Sequence, residues 1–518
     1  MPSPILGRNF VAGEWQPHSA DFASTNPAQL AEIVGHFPTA TPDLVGQAVA
    51  AARQAFPAWR RMSRIHRAEC FHRLGLLIER DTDTLATLMA RECGKILNEC
   101  RAEVVEGLHM VQYVFGTGRM PVGDVIPSEI AEKDAFVRRK PRGVVGVITP
   151  WNFPFAVPLW MLGPSLLEGN TAVFKPSEET PAVGQRLVEL FVEAGFPTGT
   201  INLVHGAGNV GEALVQNPDV NAILFTGSSA VGQRIQQISA GFHDRIVAAE
   251  MGGKNAVIVC EDADLKLAVP AAVLSTFKTT GQRCVSASRI LVHLSLFDEF
   301  IRQFTETTRR IRFGDPFDPA SFAGPLINRK AVEKTLMYAG LAKAEAREMI
   351  ETSREFDPQS GCFVTPCVYA MTNDPNSRCL KEEVFGPHVA IVPFDNDDHA
   401  VEIANSTDYG LSLAVITESY RRMRFFREEC DYGLGYVNLP CIGAEVHLPF
   451  GGVKKSGNGH PSAAGVGRDD HPQVRLDGEP RHRHRHGPRH ERGCRWEIGL
   501  ATRKPCRKPG GMTPTRRA

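Results

Sequence analysis

The sequence predicts an α/β chain: a mainly parallel, doubly wound sheet with helices on both faces, followed by a second α/β unit. Short β-branched runs recur about 25 residues apart between Val144 and Ala249, and helical stretches separate them. A second strand-and-helix series begins at Asn255. At 518 residues the chain exceeds one ordinary core, so two or three domains are expected.

The elements follow in order. After a first segment holding Asn9-Phe10-Val11-Ala12-Gly13-Glu14-Trp15, amphipathic spacing of Ala, Leu, Arg and Glu predicts helices from about Asp43 to Phe115. Residues 121–142 read as an inserted extended arm. Strands are then predicted at 144–148, 171–174, 201–204, 222–225 and 246–249, and in the second series at 255–259, 289–292, 389–392 and 435–438. The first domain is therefore placed at residues 1–120 and 143–250, and the second at 251–465.

Residues 466–518 depart from this pattern. The run Arg481 to His490 is biased to Arg, His and Pro, has no strand or helix period, and is expected to be disordered. A reading-frame shift near Val466, a replaced native end and a genuine basic tail all remain open.

Hydrophobic content of 42% and charge of 22% are ordinary for a soluble globular protein. Basic and acidic residues number 58 each, which gives no electrostatic ground for a nucleic-acid or membrane partner. The balance is uneven, because residues 468–518 hold 14 Lys/Arg against 6 Asp/Glu and leave 44 against 52 before them. Twelve cysteines form no CxxC pair, which argues against a disulfide framework or a zinc site, so no metal and a reduced, cytoplasmic setting are expected. Met1 to Trp15 lacks a signal-peptide pattern, and no run approaches the roughly 18 apolar residues of a membrane span.

Three stretches carry chemistry together: Thr149-Pro150-Trp151-Asn152-Phe153-Pro154, Glu250-Met251-Gly252-Gly253-Lys254 and Gly281-Gln282-Arg283-Cys284. They supply an amide, a carboxylate and a thiol. Cys284 follows a helical segment, 270–278, and a Thr279-Thr280-Gly281 turn, which is a way to present a thiol in a cleft. Taken alone, it could equally be a buried structural cysteine. Glu250 ends a strand where open α/β sheets place ligands, although strand ends also carry surface glutamates. Asn152 before Phe-Pro also suits a turn.

With these motifs in the order Asn, Glu, Cys, the chain resembles the NAD(P)-dependent aldehyde dehydrogenase superfamily, over roughly residues 8–465. The resemblance implies a Rossmann-like cofactor domain, a second α/β catalytic domain and a small β oligomerisation arm at 121–142, within a homo-oligomer. Its partner strand would lie in the C-terminal segment that the tail replaces. It also implies that Cys284 is the nucleophile, that Glu250 is the general base for thioester hydrolysis, and that Asn152 with the Cys284 backbone N–H forms the oxyanion hole. Acyl transfer to coenzyme A would not need such a base, so Glu250 favours hydrolysis over a CoA-acylating alternative. A catalytically silent member is the other alternative, encouraged by the tail.

The cofactor implied is NAD. Gly206-Ala207-Gly208-Asn209-Val210-Gly211 matches GxGxxG, but the acid expected about 20 residues on is missing, so a Rossmann pyrophosphate loop is disfavoured there. The family pattern brings Gly208 near the adenine and the phosphates to Phe225, Gly227, Ser228 and Val231, at a helix start. It assigns Lys175 and Glu178 to the adenosine ribose and includes Ser177 in the cofactor set, and Glu178 would repel a 2′-phosphate, favouring NAD over NADP. Trp151, Met251, Gly252, Glu383 and Phe385 complete the cofactor set, with Glu383 and Phe385 matching the nicotinamide-ribose clamp.

The substrate is expected to be a small aldehyde. Lys278 and Arg283 hint at an anionic one, a semialdehyde, whereas Trp160 stands where a second carboxylate-binding arginine is expected and points to uncharged substrates. Lys278 as an ordinary surface lysine remains open. Phe450, in Pro449-Phe450-Gly451-Gly452 upstream of Lys454 and Ser456, is either channel wall or plain core. Met161 replaces a lysine common in the family, which leaves a proton relay there without its usual residue.

Overall fold

The computed structural model describes residues 3–346, 348–350 and 361–458. The tail expectations for 466–518, and the partner strand of the arm, lie outside the described residues.

Two seven-stranded sheets organise the chain. In the first, the order is Ile246–Glu250, Ala222–Thr226, Val144–Ile148, Thr171–Lys175, Ile201–Leu203, Phe10–Val11 and Glu14–Trp15. The first five of these strands run parallel, with Val147 opposite both Phe174 and Leu224. Strands 144–148 and 171–175 are buried along their whole length. Covered on both faces, they read as continuous apolar runs and not as alternating ones. The N-terminal segment adds an antiparallel edge, with Phe10 opposite Leu203 and Trp15.

The periodic stretch after Asp43 folds into four helices: Pro42–Arg61, Arg64–Arg80, Thr82–Cys93 and Leu97–Thr117. The first starts with Pro42 behind Thr41, whose hydroxyl accepts from the Leu44 N–H at 3.2 Å. The third ends at Gly94, whose φ of 73° gives the left-handed cap that turns the chain and delivers Lys95 inward.

The second sheet has the order Glu348–Ile350, Cys367–Ala370, His388–Phe394, Ala287–His293, Asn255–Val259, Ser412–Ile416 and Leu434–Val437, parallel except for the first. The predicted strands at 255–259, 289–292, 389–392 and 435–438 fall within it or one residue off its ends. Strands 367–370 and 412–416 were not foreseen. Runs such as Ser-Leu-Ala-Val-Ile are too short for their period to separate strand from buried helix.

Gly123–Ile126 pairs antiparallel with Ala135–Arg138, so the arm at 121–142 is a hairpin, with Val125 and Phe136 strongly exposed. At the other end of the chain, Gly457 bridges Glu250, and the Met251 N–H donates to the Ser456 carbonyl at 2.7 Å. The same segment pairs with Tyr409–Gly410. Gly433 must be glycine for it to pass, since a Cβ there would lie 1.7 Å from the Gly451 carbonyl oxygen. Residues 451–458 therefore lie directly against the strand end that carries Glu250.

Candidate active site

Helix Leu265–Phe277 leads into a turn in which Thr279, Thr280 and Gly281 all have positive φ, at 53°, 58° and 69°. A Cβ on Gly281 would lie 2.3 Å from the Gly386 carbonyl oxygen, so only glycine fits. Thr280 Oγ1 donates to the Gly324 carbonyl at 2.8 Å, and the Gln282 side chain bridges the Ile327 N–H and the Pro325 carbonyl. Cys284 follows, part-buried among Val285, Leu411, Leu434, Tyr436, Ile442 and Phe450. Its carbonyl accepts from Asn255 Nδ2 at 2.6 Å, which fixes the backbone behind the thiol.

Glu250 closes its strand with 2% exposure, and neither carboxylate oxygen has a hydrogen-bond partner among the described residues. Burial pushes its pKa well above the usual carboxylate range, against a smaller opposing pull from the Gly452 amide. Burial also raises the Cys284 thiol, and the charges of Glu250 and then Glu383 add to it. Ionising the carboxyl thus disfavours ionising the thiol.

Asn152 follows the strand Val144–Ile148 and is 5% exposed. Its Nδ2 donates to the Gln282 carbonyl at 2.9 Å, which leaves a second amide N–H for another acceptor. Its own carbonyl accepts from Lys95 Nζ at 2.9 Å. Lys95 pairs with Glu103, whose Oε1 accepts from the Phe155 and Ala156 N–H groups at 2.9 and 3.1 Å. Sequence reasoning missed Lys95, Glu99 and Glu103. The available signal was Glu99, Glu103 and Glu106, three acids at helical spacing on one side of an otherwise core-bound helix.

The strand order reverses around Val144–Ile148, which lies between Thr171–Lys175 and Ala222–Thr226. Ligands of open α/β sheets bind at such a switch point, beyond the carboxyl ends of the strands. Trp151 follows the first of these strands there, and Gly227 and Ser228 follow the third. Ser228 caps the helix Ser229–Ser239 by accepting from the Val231 N–H at 3.5 Å, and Val231 stands half exposed on its first turn. Gly227 and Gly232 let the helix start close in, since added Cβ atoms would lie 2.5 Å from the Phe225 ring and 2.4 Å from Met251 Sδ.

Lys175 is buried, with Nζ 3.5 Å from Glu178 Oε2, and its pKa is lowered by burial against the opposing pull of that carboxylate. Ser177 is buried beside them, and its Oγ accepts from the Glu179 N–H. In the GxGxxG segment Gly206 has φ 139°, whereas a Cβ on Gly208 would meet nothing within 4 Å. Gly206 is thus required by the turn, and Gly208 faces open space. Glu383 Oε1 accepts from the Gly253 N–H at 3.0 Å, and a Cβ on Gly252 would lie 2.2 Å from Oε2. Phe385, at φ 61°, meets Trp151 edge to face at 5.6 Å. A helix N-terminus, an ammonium–carboxylate pair and a second carboxylate beside glycines therefore lie beyond the carboxyl ends of the parallel strands, a set that fits a dinucleotide.

Trp160 lies in the helix Ala156–Leu167, edge-on to Phe450 at 5.3 Å, and its indole N–H has no partner among the described residues. Phe450 packs on the same apolar cluster as Cys284, and Trp160 backs it. Met161, next in the helix, is buried. Lys278 and Arg283 do not stand ready for an anion. Arg283 donates to Glu99 at 3.2 Å and to Thr279 Oγ1 at 2.8 Å, while Lys278 lies 4.0 Å from Glu99 and over the Phe322 ring. Both cations thus face a protein carboxylate, Glu99, whose single charge offsets one of the two.

Comparison with known proteins adds three findings. The model of the aldehyde dehydrogenase family matches residues 15–468. The chain is 37% identical over 456 residues to an alpha-ketoglutaric semialdehyde dehydrogenase of Bacillus subtilis (86% of this chain, 93% of the relative), and 38% identical over 464 residues to a 1-pyrroline-5-carboxylate dehydrogenase of Geobacillus kaustophilus (87% and 89%). Among solved structures, betaine aldehyde dehydrogenase from Staphylococcus aureus in complex with NAD+ superimposes with a TM-score of 0.83 at 32% identity, covering 88% of this chain and 91% of that one.

Proposed function

The chain belongs to the aldehyde dehydrogenase family, and on that premise we propose that it oxidises an aldehyde to the carboxylic acid with Cys284 as nucleophile, Asn152 as oxyanion donor and Glu250 as general base. The observation that carries this reading is the buried Glu250 carboxyl, which has no direct hydrogen-bond partner among the described residues, feels only the weaker pull of the Gly452 amide, and raises the Cys284 thiol by its charge. A structural carboxylate would be expected to have found donors. One left without them retains the lone pairs that a base needs.

Cys284 attacks the carbonyl carbon and forms a thiohemiacetal. The second N–H of Asn152 and the Cys284 backbone N–H meet the oxygen as it gains charge. NAD, when bound, supplies the hydride acceptor, and the crevice residues that would hold it are Trp151, Lys175, Ser177, Glu178, Gly208, Phe225, Gly227, Ser228, Val231, Met251, Gly252, Glu383 and Phe385. Glu250 then takes a proton from the water that hydrolyses the thioester, and the acid leaves. The half-exposed carboxylate of Glu178 disfavours a 2′-phosphate, so NAD is preferred over NADP.

A semialdehyde is the substrate class favoured by the named relatives, with its distal carboxylate bound elsewhere than at Arg283 and Lys278. An uncharged aldehyde is a second reading, favoured by the Trp160–Phe450 pair and by the engagement of Arg283 with Glu99. A panel of aldehydes with and without a distal carboxylate decides: kcat/KM at least tenfold higher for the carboxylated set, about 1.4 kcal/mol, supports the semialdehyde. Product that forms only when coenzyme A is added would overturn the hydrolytic reading. Residues 1–120 and 143–250 would form the cofactor half and 251–465 the catalytic half, while the hairpin at 121–142, with Val125 and Phe136 exposed, would join subunits of a homo-oligomer.

A further inference from the structure

The turn that carries Cys284 is held by a side chain from another part of the fold. Thr279 and Thr280 are β-branched residues in left-handed backbone, a conformation that persists only where the surroundings over-determine it. Glu99, in the first turn of the helix Leu97–Thr117, supplies the constraint. Its Oε1 accepts from the Thr279 N–H at 3.1 Å and from Arg283 Nη2 at 3.2 Å, with Lys278 Nζ at 4.0 Å. Arg283 Nε closes the ring by donating to Thr279 Oγ1 at 2.8 Å. The Glu99 side chain is 8% exposed, so these charge-assisted bonds act largely away from solvent. Both ends of the segment 279–283 therefore converge on one oxygen atom, and the next residue is the thiol.

We propose that Glu99 is a positioning residue for Cys284: by anchoring Thr279 and Arg283 together it fixes the turn, and so the direction and reactivity of the thiol. Arg283 acts in this clamp and not as a ligand for substrate. The proposal rests on the reading of Cys284 as the reactive group, but its test does not require turnover.

The experiment is iodoacetamide labelling of Cys284 in the full chain, followed by mass spectrometry, with thermal unfolding measured in parallel. Glu99→Ala is expected to slow labelling by roughly 10- to 100-fold while the chain stays folded, the scale on which small misplacements of a reacting group act. Glu99→Gln keeps an acceptor for the Thr279 N–H but loses the charge facing Arg283, and so falls between Glu99→Ala and the parent. Thr279→Val removes the hydroxyl that Arg283 holds, keeps the β-branch, and slows labelling too. In all three, kcat for the aldehyde falls with little change in KM for NAD.

Labelling of Glu99→Ala that is unchanged, faster, or slowed only in proportion to the unfolded fraction overturns the proposal. If Glu99→Ala does not fold, unchanged labelling in both Glu99→Gln and Thr279→Val overturns it. Turnover that survives Cys284→Ala would remove the catalytic reading of that residue and leave the labelling result standing.

Discussion

The Asn152 side-chain amide donates to the carbonyl of Gln282 at 2.9 Å, across 130 residues of sequence. One hydrogen bond thus joins the loop after the central strand of the first sheet to the turn that presents the thiol of the second. It also orients the amide, so that its remaining N–H is committed in direction before substrate arrives. Asn152→Ala is expected to lower kcat by about 10²–10³, the range for losing one oxyanion donor, while the lost hydrogen bond lowers stability by only ~1 kcal/mol. Steady-state kinetics beside thermal unfolding checks this. A kcat within tenfold of the parent would remove Asn152 from the oxyanion hole.

Glu250→Gln separates the two halves of the reaction. Attack and hydride loss need no base for water, so the variant is expected to release NADH once, near one equivalent per active thiol, and then stall as the thioester. In the parent enzyme the base works only when ionised, and burial raises its pKa. The sign follows: hydrolysis rises with pH through that raised pKa and falls about tenfold per pH unit below it. Rapid-mixing measurements of burst and steady phase across pH test both points, and continued turnover of the variant at the parent rate would sink the role of Glu250.

Gly252 offers a test of the crevice that leaves the fold intact. An added Cβ would meet Glu383 Oε2 at 2.2 Å, and that atom is the far end of a flexible side chain, so the carboxylate swings away and the backbone stays. Gly252→Ala is therefore expected to unfold near the parent temperature. Losing a carboxylate hydrogen bond to the cofactor, about 1.5–3 kcal/mol, raises KM for NAD by roughly 10- to 100-fold. An unchanged KM would detach Glu383 from the cofactor.

Much of this was legible in the sequence because strands buried on both faces announce themselves as β-branched runs, and all five predicted between Val144 and Ala249 are present. The motifs around Asn152, Glu250 and Cys284 likewise named residues that the fold gathers into one cleft. Sequence order could not show where a charge is spent. Arg283 and Lys278 read as free cations because Glu99, which faces both, stands 179 residues or more away in sequence and meets them only through tertiary packing. For the same reason nothing in the sequence singled out Lys95, which is buried and holds the Asn152 carbonyl.

That burial yields the last prediction. Glu103 is 2% exposed and accepts from Lys95 and from two backbone N–H groups, Phe155 and Ala156, at the start of the helix behind Asn152. Glu103→Ala would strand a buried ammonium and two amides together, at a cost of about 3–5 kcal/mol. Lys95→Met is expected to be milder for stability, because Glu103 keeps both amide donors. Its effect on rate is the larger one, because Lys95 Nζ also holds the Asn152 carbonyl. Pairing Lys95→Met with Glu103→Leu should recover part of the stability lost in Glu103→Ala, since an apolar pair avoids the stranded charge, but not all of it, since the two amides remain unsatisfied. Thermal unfolding of the set, with kcat measured on each folded variant, distinguishes these effects. If Glu103→Ala unfolds within a degree of the parent, the network does not support the loop that carries Asn152.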